Sequence, residues 1–333
     1  EPLALLSWFE NRLCERTQKV VLNGKTSDQC TVISGVPQGT VLGPLCFLIF
    51  INDLGKHLSE GTHLKLFADD SLLFREIESP ENAESLQKDL DTLTEWSQKW
   101  HMKFHPSKCY AMSITNTTPI QHEYSIMGET LQIVKSACYL GVHINNKLKW
   151  DTQVDTVVAK ANRTLGFLRR NLNRCPQKVK EQAYIALVRP TLEYASSAWD
   201  PHQRSHIDKL EKVQRRAARF VTNCRSYETG SVSSALAKLR WPTLERRRRT
   251  ARLTTLYKTT HAKNSPLKIP EHFRPKSSKY STRRYHPSKF TVPYIRTNTY
   301  KNSFFSRTIR DWNDTDNSII ESATVQSFRN LVS

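Results

Sequence analysis

Three features are scarce in this 333-residue chain: long apolar runs, paired cysteines and, in its second half, acidic residues. The longest apolar run, residues 45–51, is far shorter than the roughly 20 residues that a membrane-spanning helix needs, so we expect no membrane partner. The seven cysteines are odd in number and scattered, with no Cys-x-x-Cys pair, which argues against a disulfide framework and a zinc site. The first residue is Glu and no signal or transit peptide is recognisable. We therefore expect an intracellular protein with reduced thiols, in the nucleus or the cytoplasm.

The shortage of acidic residues is confined to one part of the chain. Residues 1–150 hold 14 Lys and Arg against 17 Asp and Glu, a net charge of −3, whereas residues 151–333 hold 36 against 14, a net charge of +22. A near-neutral part followed by a strongly basic part indicates an active-site module joined to a module that binds a polyanion. The alternative is a basic surface without a specific partner.

Two adjacent carboxylates, Asp69 and Asp70, interrupt an apolar stretch. The short apolar segments around them, residues 64–67 and 72–74, are typical of hairpin strands, with the polar pair as the turn. Two close carboxylates repel each other unless a cation neutralises them, and Mg²⁺ takes oxygen ligands from one or two carboxylates plus substrate phosphates. The pair therefore indicates a metal site for phosphoryl or nucleotidyl transfer. Because Asp is a common turn residue, a solvated turn is the alternative.

A shaped loop precedes this hairpin. Residues 34–44 contain three Gly and two Pro, and they lead into an apolar helix over residues 45–51 that begins at Pro44. Such a loop lets backbone approach a base or a phosphate closely, although an ordinary strand-to-helix connection has the same composition. Upstream, residues 3–13 predict a helix, and residues 18–23 and 29–33 predict two strands with Asn23-Gly24 as the turn.

Helical spacing dominates the rest of the chain. A helix over residues 83–100 carries Trp96 and Trp100 on its core face, and residues 137–144 predict one strand. Residues 264–299 are rich in Pro, Ser, Thr, Lys and Arg, which is typical of a loosely ordered segment, and a short helix over residues 303–312 follows. The other predicted helices cover residues 150–172, 176–188, 190–199 and 207–220, the last with Lys209, Lys212, Arg215, Arg216 and Arg219 on its polar side, and a later helix contains Arg246, Arg247, Arg248 and Arg249.

Several motifs occur together and in a familiar order. The sequence resembles the reverse transcriptases of non-LTR, LINE-type retrotransposons of the jockey and CR1-like groups, over nearly the whole chain. Each motif is weak evidence by itself, but four of them in order are strong. They are residues 34–44 (motif B), Phe67-Ala68-Asp69-Asp70 (motif C), Lys103-Phe104 through Lys108-Cys109 (motif D) and Tyr139-Leu140-Gly141-Val142 (motif E, the primer grip); the region of Trp241-Pro242 is similar to the helical segment after the thumb in those elements.

The resemblance implies an α+β fold in three parts. Residues 1–150 would be a partial right-hand polymerase palm, with an antiparallel sheet and packed helices. Residues 151–262 would be a helical, thumb-like basic region, and residues 263–333 a basic, loosely ordered C-terminal segment with a short terminal helix. The implied activity is RNA-directed DNA polymerisation by two-metal nucleotidyl transfer, with Mg²⁺ or Mn²⁺, dNTPs, an RNA template, and a DNA primer or target DNA as partners.

The resemblance also implies residue roles. Asp69 and Asp70 would be catalytic metal ligands, and Lys108 would be the catalytic acid or charge stabiliser at the leaving phosphate. The remaining roles are nucleotide and template binding by Gly35, Pro37, Gln38 and Gly39, primer binding by Leu140 and Gly141, and phosphate binding by Arg215, Arg216, Arg219, Arg246, Arg247, Arg248 and Arg249.

Two departures from the family pattern limit this interpretation. His105 stands where the family usually has Asn, and the 33 residues before Ser34 hold only Asp28 and no apolar strand with an Asp, so motif A is missing. We therefore expect a C-terminal part of a longer polyprotein, whose upstream domains are its partners, or a degraded copy. By itself this chain should have no robust polymerase activity. The alternatives are a non-catalytic nucleic-acid-binding remnant and, less favoured, an intron maturase.

Overall fold

The computed structural model describes residues 2–224, 230–262, 265, 267–273, 275 and 288–333. It divides the chain into two compact units. The first comprises Glu1–Ser113 and Thr117–Val134, and the second comprises Ile114–Asn116 and Lys135–Ser333. Helices and small, mostly antiparallel two-stranded sheets make up the described residues, so the α+β class is confirmed. No helix among the described residues is long and apolar enough to cross a membrane.

The first unit opens with a helix and a ribbon of short strands. Helix α1 covers Pro2–Leu13, strand β1 (Thr17–Gln18) pairs with β4 (Cys30–Thr31), and β2 (Val21–Leu22) pairs with β3 (Lys25–Thr26). Asn23 and Gly24 form the turn at φ 50° and 78°, the left-handed region that a two-residue hairpin loop requires. The predicted turn is therefore confirmed. The predicted strand over residues 18–23 is split into β1 and β2, the one over residues 29–33 is shortened to β4, and β3 was not predicted.

A hairpin packed on a long helix follows. Helix α2 covers Leu42–Ile51, strands β5 (Thr62–Phe67) and β6 (Asp70–Arg75) form the hairpin, and α3 covers Pro80–Lys99. Leu90 and Leu93 of α3 belong to two buried clusters that both contact Leu73. Trp96 is buried as predicted and donates to Asp53 Oδ1 at 2.7 Å. Trp100 is 41% exposed, so its prediction as a core residue is wrong: α3 ends one residue before it.

Short elements complete the first unit. A 3₁₀ turn covers Pro106–Lys108, and β7 (Tyr110–Ala111) pairs in parallel with β10 (Gln132–Ile133). Between them β8 (Ser125–Ile126) and β9 (Glu129–Thr130) form a hairpin on α3. Gln87 fastens that hairpin, because its Oε1 accepts from Ser125 N at 2.8 Å.

The second unit begins with another hairpin. The sequence predicted one strand over residues 137–144, but β11 (Ser136–Tyr139) and β12 (Val142–Asn145) are antiparallel partners, so that prediction is wrong. Leu140 and Gly141 form the turn at φ 47° and 75°. The hairpin packs on α4 (Asp151–Asn171), and Val142 lies in the same buried cluster as Val154.

A helical core surrounds α4. Helix α5 (Gln177–Ala183), a π-helical turn (Tyr184–Val188) and α6 (Arg189–Glu193) form one continuous run. Pro190 has no N–H and its ring crowds the preceding turn, which accounts for the widened π turn where a break was predicted. Helices α7 (Ser196–Trp199), α8 (Arg204–Thr222) and α9 (Ser231–Leu239) follow, and Tyr184, Trp199 and Leu210 are fully buried among them.

The C-terminal part packs on a long helix, α10 (Leu244–His261). Its Leu253, Leu256 and Tyr257 share a second core with Trp312 and Phe328. The predicted short helix at residues 303–312 is confirmed as α12, but three further helices surround it, so residues 298–332 are more ordered than the sequence suggested. Residues 263, 264, 266, 274 and 276–287 of that predicted segment lie outside the described residues. The four helices are α11 (Asn298–Lys301), α12 (Phe304–Asn313), α13 (Asn317–Ile320) and α14 (Val325–Val332).

Candidate active site and nucleic-acid interface

The two aspartates lie at the tip of the β5–β6 hairpin, as predicted. Phe67 pairs with Asp70, which leaves Ala68 and Asp69 as the two turn residues. Both carboxylates are exposed. Ala68 has φ 52°, a left-handed conformation that is rare for residues other than Gly, Asn and Asp and is found at tight turns and functional sites.

This tip fits a divalent cation that substrate also ligates. Hard cations such as Mg²⁺ are commonly held by one or two carboxylates, with substrate phosphates and water as further ligands. Within the described ranges no group of three or more His, Cys, Asp or Glu side chains is placed to hold a metal ion. At this tip the side chains that could ligate a cation are the two exposed carboxylates of Asp69 and Asp70.

The glycine-rich loop is braced from inside. Thr40 Oγ1 donates to Pro37 O at 3.1 Å and accepts from Gly43 N at 3.0 Å. Gly43 is buried, and a Cβ there would lie 2.7 Å from Pro37 O, so only Gly fits. The sequence analysis included Thr40 and Gly43 in the loop but assigned them no role, because their bracing contacts appear only in the folded structure.

The outer residues of that loop are open. Gly35 and Gly39 have φ 78° and 74°, and a Cβ on either would meet no atom within 4 Å. Gln38 is exposed and Pro37 is half-buried. The Arg16 guanidinium donates to Gly35 O, which fixes one end of the loop. The four predicted nucleotide- and template-binding residues are thus brought together on one accessible, shaped backbone.

Lys108 ends the 3₁₀ turn and its side chain is exposed. Its N–H donates to His105 O at 2.9 Å, and Ser107 Oγ lies 2.9 Å from His105 Nδ1. The imidazole that departs from the family pattern therefore helps to hold the turn. Burial raises the pKa of the neighbouring Cys109 thiol, so this cysteine is less reactive than an exposed one.

The Leu140–Gly141 turn has a partner that the sequence did not reveal. Tyr194 Oη donates to Leu140 O at 3.0 Å. A Cβ on Gly141 would lie 3.3 Å from Tyr194 Cε1, so the ring lies directly against the turn. Tyr194 is 54 positions from Leu140 and no local pattern marks it.

The cations of α8 flank α4. The two helices run side by side in the same direction, since the residue numbers of their contacting pairs increase together along both helices. Lys212, Arg215 and Arg216 are exposed, while Arg219 is half-buried. The pairs are His206 with Asp151 (3.0 Å), Lys209 with Asp155 (2.5 Å) and Arg216 with Asn162 (3.1 Å).

The four arginines of α10, which the sequence predicted to bind phosphates, differ in exposure: one is exposed, two are half-buried and one is buried. Arg248 is fully buried and its Nε donates to Asp200 Oδ1 at 2.7 Å. Arg247 is held by both oxygens of Glu193, and these hydrogen bonds raise its pKa. Arg249 lies 3.7 Å from an Asp311 oxygen, and Arg246 donates to Ser333 O. The prediction that all four bind phosphates is therefore wrong for Arg248, which solvent does not reach.

Asp200 is the centre of a buried ionic cluster. Its second oxygen, Oδ2, accepts from Arg252 Nε at 2.8 Å and lies 3.2 Å from Arg307 Nη1. Arg252 also donates to Asp311 Oδ2 at 2.8 Å. Burial lowers the pKa of Arg307. The cluster joins the end of α7 to α10 and α12. Several arginines of the basic second half are therefore paired with carboxylates inside the protein.

Part of the chain is similar to known proteins. The family described as "Reverse transcriptase (RNA-dependent DNA polymerase)" matches residues 3–144. A probable RNA-directed DNA polymerase from transposon BS of Drosophila melanogaster is 30% identical over 215 residues, which cover 60% of this chain and 23% of that protein. RNA-directed DNA polymerases from the mobile element jockey are 26% identical in Drosophila melanogaster and 28% identical in Drosophila funebris, each over 64% of this chain and 24% of the relative.

The chain thus spans about a quarter of the length of these relatives. The matched residues 3–144 include the braced loop, the aspartate hairpin, the Lys108 turn and the Leu140–Gly141 turn. Enzymes of this family generally use divalent metal ions and act on nucleic acid templates with dNTPs. Residues 3–144 therefore match the reverse transcriptase family, and the similarity to the transposon BS and jockey polymerases supports the LINE type.

Proposed function

We propose that this chain supplies part of the active site and much of the nucleic-acid grip of an RNA-directed DNA polymerase. The observation that carries the proposal is the exposed Asp69–Asp70 pair at a hairpin tip within the segment that matches the family. Mg²⁺, or Mn²⁺ in its place, would be held by these two carboxylates and would supply charge stabilisation at the attacking and leaving oxygens. The relatives' greater length supports upstream domains of the same polypeptide as partners.

The protein's own groups would position the substrates. The braced loop would present the backbone of Gly35 and Gly39, with Gln38, to the incoming nucleotide and template, because no side chain blocks approach there. Lys108, exposed at the end of its turn, would stabilise negative charge on the leaving phosphate or donate a proton to it. The Leu140–Gly141 turn would hold the primer end through main-chain groups.

The helical part would hold the RNA–DNA hybrid by its phosphates. Arg215, Arg216 and Arg219 remain candidates, and Lys212 joins them because it is exposed on the same helix. Such contacts are independent of sequence and weaken with salt. The division of the chain into a palm-like, a thumb-like and a C-terminal part, with limits at residues 150 and 262, stays a prediction.

The 333-residue chain by itself should not extend a primer. Two-metal transfer shares its cations among several carboxylates, and the described residues offer the Asp pair without a third acidic, His or Cys ligand. We expect primer extension on poly(rA)/oligo(dT), with Mg²⁺ or Mn²⁺, to stay at the level of an Asp69→Ala control.

The matching positive experiment uses a longer product of the same reading frame that adds an upstream strand with an Asp. Its extension activity should depend on the divalent cation and fall by at least about 10²-fold in Asp69→Asn and Asp70→Asn, since a lost charge stabiliser costs that much. Synthesis by the short chain well above its control would refute the need for a further carboxylate. An inactive longer product that still binds hybrid would favour a non-catalytic remnant.

A further inference from the structure

One side chain outside every motif controls the geometry of the Leu140–Gly141 turn. The carbonyl of a hairpin turn residue has no ladder partner of its own, and backbone groups that lack a partner are costly where solvent is displaced. Tyr194 Oη supplies that partner by donating to Leu140 O at 3.0 Å. The hydrogen bond joins the hairpin to the end of α6.

Tyr194 is itself fixed, although its side chain is 57% exposed. The fully buried Trp199 donates from Nε1 to Tyr194 O at 2.8 Å. The next residue, Ala195, has φ 50°, so the chain reverses sharply between α6 and α7. The ring therefore stands on backbone that the core holds in place.

Gly141 allows the ring to approach. Its φ of 75° favours glycine, and a Cβ would come within 3.3 Å of Tyr194 Cε1, tighter than most side-chain contacts. The turn has room for the Tyr194 ring only because residue 141 is glycine, and the backbone of Tyr194 is held so that the ring lies against the turn.

We propose that Tyr194 is a positioning residue for the primer 3′ end, acting through the main chain of Leu140 and Gly141. This rests on the proposed primer-binding role of that turn. Main-chain groups can direct a sugar-phosphate end only if their orientation is fixed beforehand. Tyr194 fixes it by one hydrogen bond and one ring contact.

The test measures preference for a primer end rather than binding alone. Fluorescence anisotropy gives the affinity of the 333-residue chain for an RNA–DNA hybrid with a recessed primer 3′ end and for a blunt hybrid of equal charge. The ratio of the two affinities is the readout. Tyr194→Phe removes only the hydroxyl, so we expect this ratio to fall about fivefold, the effect of one neutral hydrogen bond, while affinity for the blunt hybrid stays unchanged.

Tyr294→Phe is the matched control, because Tyr294 is 89% exposed in the same unit, and it should leave both affinities as they are. A Tyr194→Phe variant with an unchanged ratio overturns the proposal. Equal loss of affinity for both hybrids also overturns it, since that is the result of a merely structural role. If the unsubstituted chain binds hybrid without preference for a primer end, the primer-binding role of the turn fails, and with it this inference.

Discussion

At the scale of single residues, the Asp200 carboxylate has the largest expected effect on stability. It is 7% exposed and lies within hydrogen-bonding or ion-pairing distance of Arg248, Arg252 and Arg307. Removing one partner from a buried ionic cluster leaves the others charged and unpaired. Asp200→Asn should therefore lower the free energy of unfolding by about 3–5 kcal/mol, as measured by urea denaturation.

Asp208→Asn is the control: it makes the same substitution in an ion pair that is exposed rather than buried. Asp208 pairs with Arg204 across one helical turn at 3.2 Å, and the Arg204 side chain is 71% exposed. Exposed pairs of this kind contribute less than about 1 kcal/mol. If the two substitutions destabilise the protein equally, the burial of Asp200 has no energetic consequence and our account of the cluster is mistaken.

At the scale of elements, helix α8 and helix α10 use their arginines differently. The cations of α8 at positions 212, 215 and 216 face solvent, whereas those of α10 mostly meet internal carboxylates. Replacing Lys212, Arg215 and Arg216 by Ala should weaken binding to RNA, DNA and hybrid alike. The slope of log K against log salt should become shallower by about 2–3 for duplex, since each phosphate contact contributes about 0.9.

A control variant that loses the same number of positive charges elsewhere distinguishes phosphate contacts made by α8 from an effect of overall net charge. Lys258, Lys268 and Lys301 are exposed elsewhere in the same unit, and their replacement by Ala should change the slope little. Salt titrations of both triple variants by anisotropy make the comparison. Equal slopes for the two variants would mean that overall charge, and not α8, determines binding.

The elements that the sequence predicted well are those with local causes. The β5–β6 hairpin and helices α1, α3, α4 and α8 follow from apolar periodicity and turn chemistry within their own residues. The turn at Leu140 was missed because Leu is unusual at positive φ, and the Tyr194 contact that stabilises it is 54 residues away. Helices α13 and α14 were missed because their partners lie in α10, far upstream in the sequence.

The same distinction applies to the candidate site. The aspartate pair and the glycine-rich loop are formed by adjacent residues, so residue type and spacing were enough to predict the turn and the shaped loop, while their roles stay a prediction. The role of the α10 arginines depended on Asp200, Glu193 and Asp311, which approach only on folding. Residue type alone indicates charge, and burial decides whether that charge meets solvent.

At the scale of the whole molecule, the β11–β12 hairpin belongs with the helices. Val142 is 8% exposed in the cluster that includes Val154, Ile144 packs against it, and His143 N donates to Gln153 Oε1 at 2.9 Å. A fragment of residues 135–333 should therefore unfold cooperatively, and a fragment of residues 151–333 should be less stable by about 2–4 kcal/mol, because two aliphatic side chains lose their burial.

Urea unfolding followed by circular dichroism compares the two fragments. A Val142→Ala variant of the longer fragment should fall between them, which links the difference to packing rather than to length. Identical stability of the two fragments would show that the hairpin adds nothing to the helical core.

The Asp200 cluster also gives the protein a particular response to warming. Hydration of charged groups becomes less favourable as temperature rises, so the penalty for withdrawing Asp200, Arg248 and Arg252 from water shrinks with heat, while apolar stabilisation levels off. The junction of α7, α10 and α12 is for this reason relatively weakest in the cold. Warming should therefore favour this ionic link between the helical core and the C-terminal helices relative to the apolar cores that it joins.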